Sequence, residues 1–356
     1  MIGKRYLFAT TQLGTTYLKD ETYQHNPLVA FAFLQQLWVK AALKQWGSEA
    51  EMAGQKEASQ LHWRDTFVPK LWTDLSADEK SKILESHMFI VRKQSGETKA
   101  RLVGGGNKQH DYLSKEDSSS PTAATELVLL TSIVNAAENR DVAIIDIPNA
   151  FIQTWVENEK DHVIIRIRGV VVDWLVAIAP KVYSQYVTVG KKGDKQLLVE
   201  YKNAIYSTMV AALLYYCKFA ESLEMNEFIM NPYDPCVWNK IINGKQCTIC
   251  FYVDNCKISH VSAEVLDNII AWLCEEYENV ITDGSGKMKV ARGKVHKYLG
   301  MTLDFTVKYV VKVAMIEYVN EIIASWDKAC LDFDDGFKIM NNCKKIATPA
   351  PEDLFK

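Results

Sequence analysis

Two acidic residues, Asp146 and Asp254, stand where the sequence predicts the ends of β-strands. Asp146 lies within the apolar run 142–147, which is typical of a strand that is covered on both faces. Asp254 lies at the tip of a predicted hairpin, between the apolar runs 246–252 and 256–260. If these strands are neighbours in one sheet, the two carboxylates meet in space.

Carboxylates on rigid strand ends are suited to phosphoryl transfer with two magnesium ions. Mg²⁺ prefers oxygen ligands, and two ions held about 3.5 to 4 Å apart activate an attacking hydroxyl and stabilise a leaving pyrophosphate. The alternative is structural. Asp146 then simply ends a strand, and Asp254-Asn255 forms a turn, because Asp and Asn both favour turns.

Basic residues are gathered in two stretches, although the formal charge of the chain is only -3 at pH 7. Such local clusters are compatible with nucleic-acid binding, and two solvated surface faces are the alternative. The first stretch contains Arg92, Lys93, Lys99, Arg101, Lys108 and Lys115, and the second contains Lys287, Lys289, Arg292, Lys294, Lys297, Lys308 and Lys312.

Five short segments follow one another along the chain and carry its most informative motifs. They are Lys99-Ala100-Arg101-Leu102-Val103, Asp146-Ile147-Pro148-Asn149-Ala150-Phe151, Ala204-Ile205-Tyr206, Tyr252-Val253-Asp254-Asn255 and Lys297-Tyr298-Leu299-Gly300-Met301. In this order and spacing the chain resembles the RNA-directed DNA polymerase domain of copia-type retrotransposon reverse transcriptases. The resemblance extends from about the first predicted helix to the segment around Thr348-Pro349-Ala350, which looks like the family's segment beyond the palm.

The resemblance implies roles for the matching residues. Asp146, Asp254 and the backbone of Ile147 would bind Mg²⁺, with Mn²⁺ as an alternative, and Asn255 would complete the catalytic turn. The nucleotide-binding residues would be Lys99, Arg101, Asn149, Ala150 and Phe151. Of these, Lys99 and Arg101 would hold the triphosphate, and Phe151 would stack under the sugar and exclude a 2′-hydroxyl.

The implied partners are an RNA or DNA template with its primer and deoxynucleoside triphosphates. Because duplexes are held mainly through their backbones, binding should be insensitive to sequence and sensitive to salt. The resemblance implies no membrane partner and leaves the oligomeric state open. We see no ribonuclease H, protease or integrase motifs, so we interpret the chain as one segment of a polyprotein or a degraded genomic copy.

The sequence departs from the family at two motifs. Asn255 stands where a second Asp is usual, and a neutral amide oxygen should bind magnesium less tightly than a carboxylate. The segment 207–210 has Ser207 in place of Gly and Val210 in place of a basic residue. Three hypotheses follow: an active polymerase, an inactive remnant that at most binds nucleic acid, and a structural protein unrelated to nucleic acid.

We expect an α+β chain with the right-hand polymerase fold: fingers, a palm sheet with helices on one face, an N-terminal helical extension and a partial thumb. The expected domains are 1–86 for the extension, 87–140 for the fingers, 141–305 for the palm with a fingers insertion at about 163–200, and 306–356 for a post-palm hairpin and the start of a thumb or connection. Sequence patterns predict helices at 27–46, 51–63, about 76–87, 125–137, 207–223 and 262–277, and further strands at 88–93, 98–103, 163–172, 197–201, 298–305 and 310–315.

Composition limits the class of protein. A chain of 356 residues that is 48% hydrophobic can bury a substantial core and form two or three subdomains. We find no membrane-spanning apolar run and no secretory signal within residues 1–13, so we expect a cytoplasmic location, with a particle or the nucleus as alternatives. Eight scattered cysteines favour reduced thiols, and Cys247 and Cys250 would point to opposite faces of a strand, which disfavours a shared zinc.

Overall fold

The computed structural model describes residues 9–11, 14–16, 36–92, 96–114, 118–157, 162–280, 286–320 and 322–323. The chain divides into two units, one of residues 36–298 with 302–313 and one of residues 1–35, 299–301 and 314–356. The first unit contains every candidate site residue. In the second, β1 (Ala9–Thr11) and β2 (Gly14–Thr16) form an antiparallel pair.

The remaining elements are helices and strands in mixed order along the chain. The helices are α1 (Val39–Trp46), α2 (Ser48–Trp63), α3 (Ala77–Lys82), α4 (Thr125–Ala137), α5 (Val170–Ile178), α6 (Pro180–Tyr183), α7 (Ala211–Met225) and α8 (Ala263–Tyr277), with 3-10 turns at Trp72–Asp74, Gly106–Asp111 and Ser184–Tyr186. The strands are β3 (Gln36–Trp38), β4 (Phe67–Lys70), β5 (Leu84–Arg92), β6 (Thr98–Gly104), β7 (Asp141–Asp146), β8 (Val163–Arg168), β9 (Thr188–Val189), β10 (Lys195–Tyr201), β11 (Ile229–Asn231), β12 (Asp234–Ile242), β13 (Lys245–Tyr252), β14 (Asn255–His260), β15 (Lys289–Gly293), β16 (Val295–Tyr298), β17 (Met301–Asp304) and β18 (Lys312–Ala314).

The first sheet has the strand order β3-β5-β8-β10-β4, with β6 paired to β5 and β9 paired to β10. Its pairings are antiparallel except for β5 with β8. Helices α1, α2 and α5 share one hydrophobic core with this sheet, because their buried side chains recur at helical spacing and face its apolar residues. On α2 the buried positions include Gly54, whose Cβ, if it had one, would lie 2.3 Å from the ring of Trp174. The missing side chain lets α2 and α5 pack closely.

The second sheet has the order β11-β12-β13-β14-β7-β15 and is antiparallel at each pairing. Helix α7 covers one face, where Phe219 contacts Phe251 at a ring-centroid distance of 4.8 Å. Helix α4 covers the opposite face, where the ammonium of Lys257 donates to the carbonyl oxygen of Val128 at 2.8 Å. The expectation of helices on one face is therefore wrong: the central strands are buried on both faces and need cover on both.

Lys257 is a buried cation that is bound by hydroxyls and a carbonyl. Its residue is 1% exposed, and its Nζ also donates to Thr131 Oγ1 at 2.8 Å and Ser132 Oγ at 2.6 Å. Both hydroxyls donate in turn to backbone carbonyls of α4, so their lone pairs are available to the ammonium. Burial lowers the pKa of Lys257 to about 8.

Several predicted elements agree with the structure. Strand β7, the hairpin of β13 and β14, the hairpin of β5 and β6, and the helices α4 and α8 form within a few residues of the expected positions. The sheet of β16, β17 and β18 follows the second sheet in the chain. The domain boundaries at 86, 140 and 305 remain a prediction.

Other predicted elements were wrong, for local reasons. The strand expected over 163–172 stops at Arg168, and after Gly169, at a φ of +65°, the apolar run continues as α5. The strand expected over 298–305 is divided between β16 and β17, with Gly300 at a φ of +78°. The helix expected to reach residue 87 ends at Lys82, and β5 begins at Leu84.

Two further helices have shifted boundaries. Residues 36–38 are a strand and not the middle of a helix, and α7 begins at Ala211 and not at 207. Strands β12 and β15 had no counterpart among the predictions. The predictions for 27–35, Lys93, Lys115, Thr348-Pro349-Ala350 and a thumb beyond 323 lie outside the described residues.

In the part of the chain that the structure describes, no helix has the length and apolar character needed to cross a membrane. The cysteines of that part are free thiols, as the scattered positions predicted. Cys247 and Cys250 are both fully buried on β13, and burial raises the pKa of both thiols. They therefore stay protonated at neutral pH and behave as apolar core residues.

The buried Lys257 predicts a specific pH dependence of stability. Its pKa is about 8 in the folded chain and 10.5 ordinarily, so between these values the unfolded chain binds more protons and the free energy of unfolding rises with pH. Lys257→Met should remove this slope, a change of about 3 kcal/mol across the window. Urea unfolding at several pH values measures it, with the exposed Lys44→Met as control. Parallel native and Lys257→Met curves would contradict the assignment.

Candidate metal and nucleotide site

The hairpin of β13 and β14 presents Asp254 at its tip. Tyr252 pairs with Asn255, so the link consists of Val253 and Asp254 alone. Val253 has a φ of +55°, which the first central position of a type I′ or II′ turn requires and which a β-branched residue adopts only under strain. Such strain persists where surrounding contacts fix the backbone, and here it fixes the direction in which Asp254 leaves the sheet.

Strand pairing brings Asp146 to the same point. Asn255 is the partner of Asp146 in the antiparallel pairing of β14 with β7, and the amide of Ile147 donates to the carbonyl oxygen of Asp254 at 2.9 Å. On the other side of β7, Lys289 of β15 is also the partner of Asp146. Directly paired residues point to one face, so Asn255, Asp146 and Lys289 form a row across three strands.

The two carboxylates differ in environment. Burial raises the pKa of Asp254, and the negative charge of Asp146 adds to this effect. Hydrogen bonds to Asp254 and the charge of Arg101 act in the opposite direction, and one of these bonds comes from Asn255 Nδ2 at 3.0 Å. The side chain of Asp146 is 42% exposed, and its Oδ2 lies 3.6 Å from Lys289 Nζ. A cation at these acids would relieve their repulsion.

The donor set fits a hard divalent cation. Asp146 and Asp254 supply carboxylate oxygens, which are the ligands that Mg²⁺ prefers. Burial is the main cause of the raised pKa of Asp254, and the charge of Asp146 adds to it. Among the described residues no group of three or more His, Cys, Asp or Glu side chains forms a metal cluster, so waters or a substrate would have to complete the coordination. Asn255 contributes no charge to the set, and its amide nitrogen is directed at Asp254.

Arg101 of the first sheet contacts Tyr206 and lies within electrostatic range of Asp254. Its guanidinium carbon is 5.3 Å from the ring centroid of Tyr206, and its charge acts on Asp254. Burial raises the pKa of Tyr206, and the charges of Arg101, Asp254 and Asp146 all act on the same hydroxyl. The structure thus brings together the cation and the two acids that the sequence separates by more than forty residues each.

The rings of Phe151, Tyr206 and Tyr215 form an aromatic cluster next to Arg101. The ring centroid of Phe151 is 5.3 Å from that of Tyr206 and 6.2 Å from that of Tyr215, both with edge contacts. These contacts fix the Phe151 ring, as a steric stop beside a nucleotide would need. Tyr206 and Tyr215 had no assigned role in the sequence analysis, although Tyr206 belongs to one of the quoted motifs.

Backbone contacts hold the loop that carries Phe151. Asn149 has a φ of +53°, and its carbonyl oxygen accepts from the amide of Gln153. Ala150 is buried, and its carbonyl oxygen accepts from Thr154 Oγ1 at 2.9 Å. The ammonium of Lys218, whose pKa burial lowers, donates to the carbonyl of Gln153 at 2.8 Å. Asn149 and Ala150 therefore shape the loop.

The two departures from the motif pattern have distinct local settings. Ser207 has a φ of +67°, a conformation that favours glycine, so the serine stands at a strained position. Val210 is the N-cap of α7 and forms no side-chain cap.

Lys99 lies two residues from Arg101 on β6 and so on the same face, and its charge acts on Glu57 of α2. The roles assigned to the candidate site residues all remain predictions: Asp146, Asp254, Asn255 and the backbone of Ile147 for the metal and catalysis, and Lys99, Arg101, Asn149, Ala150 and Phe151 for the nucleotide.

Comparisons with known proteins give only weak similarities. No protein-family model matches the chain, and no curated protein matches it. A solved structure of the foamy viral protease-reverse transcriptase dRH in complex with ds DNA is similar at a TM-score of 0.44 and 11% identity, over 83% of this chain and 44% of that one. A telomerase from Candida albicans in complexe with TWJ fragment of telomeric RNA is similar at a TM-score of 0.38 and 8% identity, over 90% of this chain and 65% of that one. This chain thus spans less than half of the viral chain, and both TM-scores are low.

Proposed function

We propose that this chain is the polymerase core of a copia-type retrotransposon reverse transcriptase, with the first sheet as fingers and the second as palm. The observation that supports this most strongly is the convergence of Asp146, Asp254 and Arg101 around Tyr206. Two acids on neighbouring strands beside a guanidinium suit a metal-bound triphosphate. The motif order along the chain adds independent support.

In the proposed reaction each residue acts on one part of the substrates. Arg101 would bind the triphosphate of the incoming deoxynucleotide through paired N–H donors. Phe151 would lie under the sugar and exclude a 2′-hydroxyl. Asp146 and Asp254 would hold Mg²⁺, which when bound would help deprotonate the primer 3′-hydroxyl and stabilise the leaving pyrophosphate. The primer oxygen would displace pyrophosphate at the α-phosphorus.

A second function, nucleic-acid binding without catalysis, is supported by two contacts. Asn255 donates to Asp254 where an aspartate would add negative charge, and Lys289 lies beside Asp146. Both contacts stabilise the carboxylates without a metal ion, so they reduce the free energy that a bound ion would contribute. The ion pair of Lys289 is exposed and therefore weak, so Asn255 is the more important of the two.

Primer extension on an RNA template, with Mg²⁺ and with Mn²⁺, tests the proposed function. The native chain should extend the primer, and Asp146→Ala should reduce extension by about a hundredfold or more, because a metal ligand is lost. Asp141→Asn, at the other end of β7, is the control and should retain extension. Unchanged extension by Asp146→Ala would refute the metal assignment.

Asn255→Asp separates the two functions. The change removes the hydrogen bond to Asp254 and adds a carboxylate, so metal-free protein should unfold at a lower temperature and added Mg²⁺ should raise that temperature more than in the native chain. Extension by Asn255→Asp together with none by the native chain would establish the inactive remnant. Equal extension by both would show that the amide suffices.

Arg101→Ala should raise the KM for deoxynucleoside triphosphate by about tenfold or more with a smaller effect on kcat, because charge-assisted hydrogen bonds to the triphosphate are lost. Arg101→Lys keeps the charge without the paired geometry and should be intermediate. Steady-state incorporation measures both, with the exposed Lys44→Ala as control. An unchanged KM in Arg101→Ala would show that Arg101 does not bind the triphosphate.

Binding of a primer-template duplex tests the nucleic-acid reading without catalysis. The logarithm of affinity should fall linearly with the logarithm of salt concentration, with a slope of about -0.9 for each phosphate neutralised. Fluorescence anisotropy with two duplexes of unrelated sequence measures the slope and should give similar values. Absence of salt-dependent binding would support the third hypothesis, a structural protein.

A further inference from the structure

The outer edge of strand β6 is held from outside the sheet. Strand β6 pairs with β5 alone, so alternate amides of β6 face away from the sheet and need other acceptors. The amide of Leu102 donates to Glu57 Oε1 at 3.1 Å, and the amide of Gly104 donates to the carbonyl of Tyr206 at 3.0 Å. Two successive outward amides are thus fixed, directly after Arg101.

We infer that Glu57 is a positioning residue for Arg101: by accepting the amide of Leu102 it sets where β6 presents Arg101 to the acidic site. This inference rests on the proposed function, because it assigns Glu57 to the same triphosphate site. Glu57 lies on α2, far from the site in sequence, and α2 contains none of the motif residues. Its contribution acts through the strand and not through contact with substrate.

The burial of Glu57 supports a specific role. The residue is 7% exposed, and its neighbours on the same face of α2, Ala53, Gly54, Ala58 and Leu61, are apolar. A carboxylate in such a place costs free energy unless it is bound. Burial raises the pKa of Glu57, and the amide of Leu102 and the charges of Lys99, Arg101 and Arg64 act in the opposite direction.

The position of α2, which carries Glu57, is fixed by its close packing against α5. Gly54 lies one turn before Glu57, and the close approach of Trp174 at this glycine holds α2 against α5. Helix α5 and strand β6 belong to the same hydrophobic core as α2. The position of the Glu57 carboxylate is therefore set by packing, so its hydrogen bond can transmit that position to β6.

Three variants test this inference: Glu57→Leu, which removes the acceptor, Glu57→Gln, which keeps an acceptor oxygen, and Glu51→Leu, an exposed change on the same helix. Two readouts are needed. Hydrogen–deuterium exchange of the peptide covering 98–104 reports the strand whether or not the chain polymerises. The KM and kcat for deoxynucleoside triphosphate in primer extension report the position of Arg101.

Glu57→Leu should increase exchange in the 98–104 peptide about tenfold and raise KM about tenfold with little change in kcat. Glu57→Gln should restore both to within about threefold of native, and Glu51→Leu should change neither. Thermal unfolding confirms that the variants are folded at the assay temperature. Unchanged exchange and KM in folded Glu57→Leu, or a Glu57→Gln variant as impaired as Glu57→Leu, would overturn the inference.

Failure of the proposed function gives a different result. In that case the native chain neither extends a primer nor binds a triphosphate on a primer-template with a dideoxy end. Increased exchange that is confined to Glu57→Leu would then leave Glu57 as the residue that fixes β6 but not as part of a nucleotide site. If the native chain extends a primer and Glu57→Leu has an unchanged KM, the polymerase function stands but Glu57 has no role in it.

Discussion

The register between β7 and β14 is the constraint on which the candidate site depends. Asn255 pairs with Asp146, and the amide of Ile147 binds the carbonyl of Asp254 immediately beyond that pair. Because side chains alternate between faces along a strand, a slip of one residue would send Asp146 to the opposite face from Asn255. The central strands are buried on both faces, so burial alone does not choose the register, and the hydrogen bond from Ile147 to Asp254 helps to fix it.

The rest of the site is assembled by backbone hydrogen bonds between elements far apart in sequence. The amide of Gly104 donates to the carbonyl oxygen of Tyr206, so the strand that carries Arg101 is bound to the segment that carries Tyr206 of the aromatic cluster. The loop of Phe151 is tied to α7 through Lys218. Both contacts use a main-chain carbonyl as acceptor, and because every residue type supplies that group, the acceptors leave little trace in the sequence.

The sequence was sufficient for features that depend on local pattern. An apolar strand and a short polar link predicted Asp146 at a strand end and Asp254 at a hairpin tip, and the pairing of β14 with β7 in the structure makes the two elements neighbours. Sequence patterns failed at α5, where the run beginning with three valines has the composition of a strand, and only the packing of its Trp174 against Gly54 of α2 decides for a helix. Lys289 and Glu57 were missed as site residues because their partners, on β7 and β6, lie 143 and 45 positions away.

The hydrogen bond from Asn255 to Asp254 has a consequence for the stability of the hairpin tip without a metal ion. Without metal, the amide stabilises a partly buried carboxylate that a second carboxylate would repel. An aspartate at position 255 would place a second negative charge beside this carboxylate, so selection for folding stability alone favours the amide, whereas selection for metal binding favours the acid. The amide at position 255 therefore lets the hairpin tip keep its geometry without a bound cation.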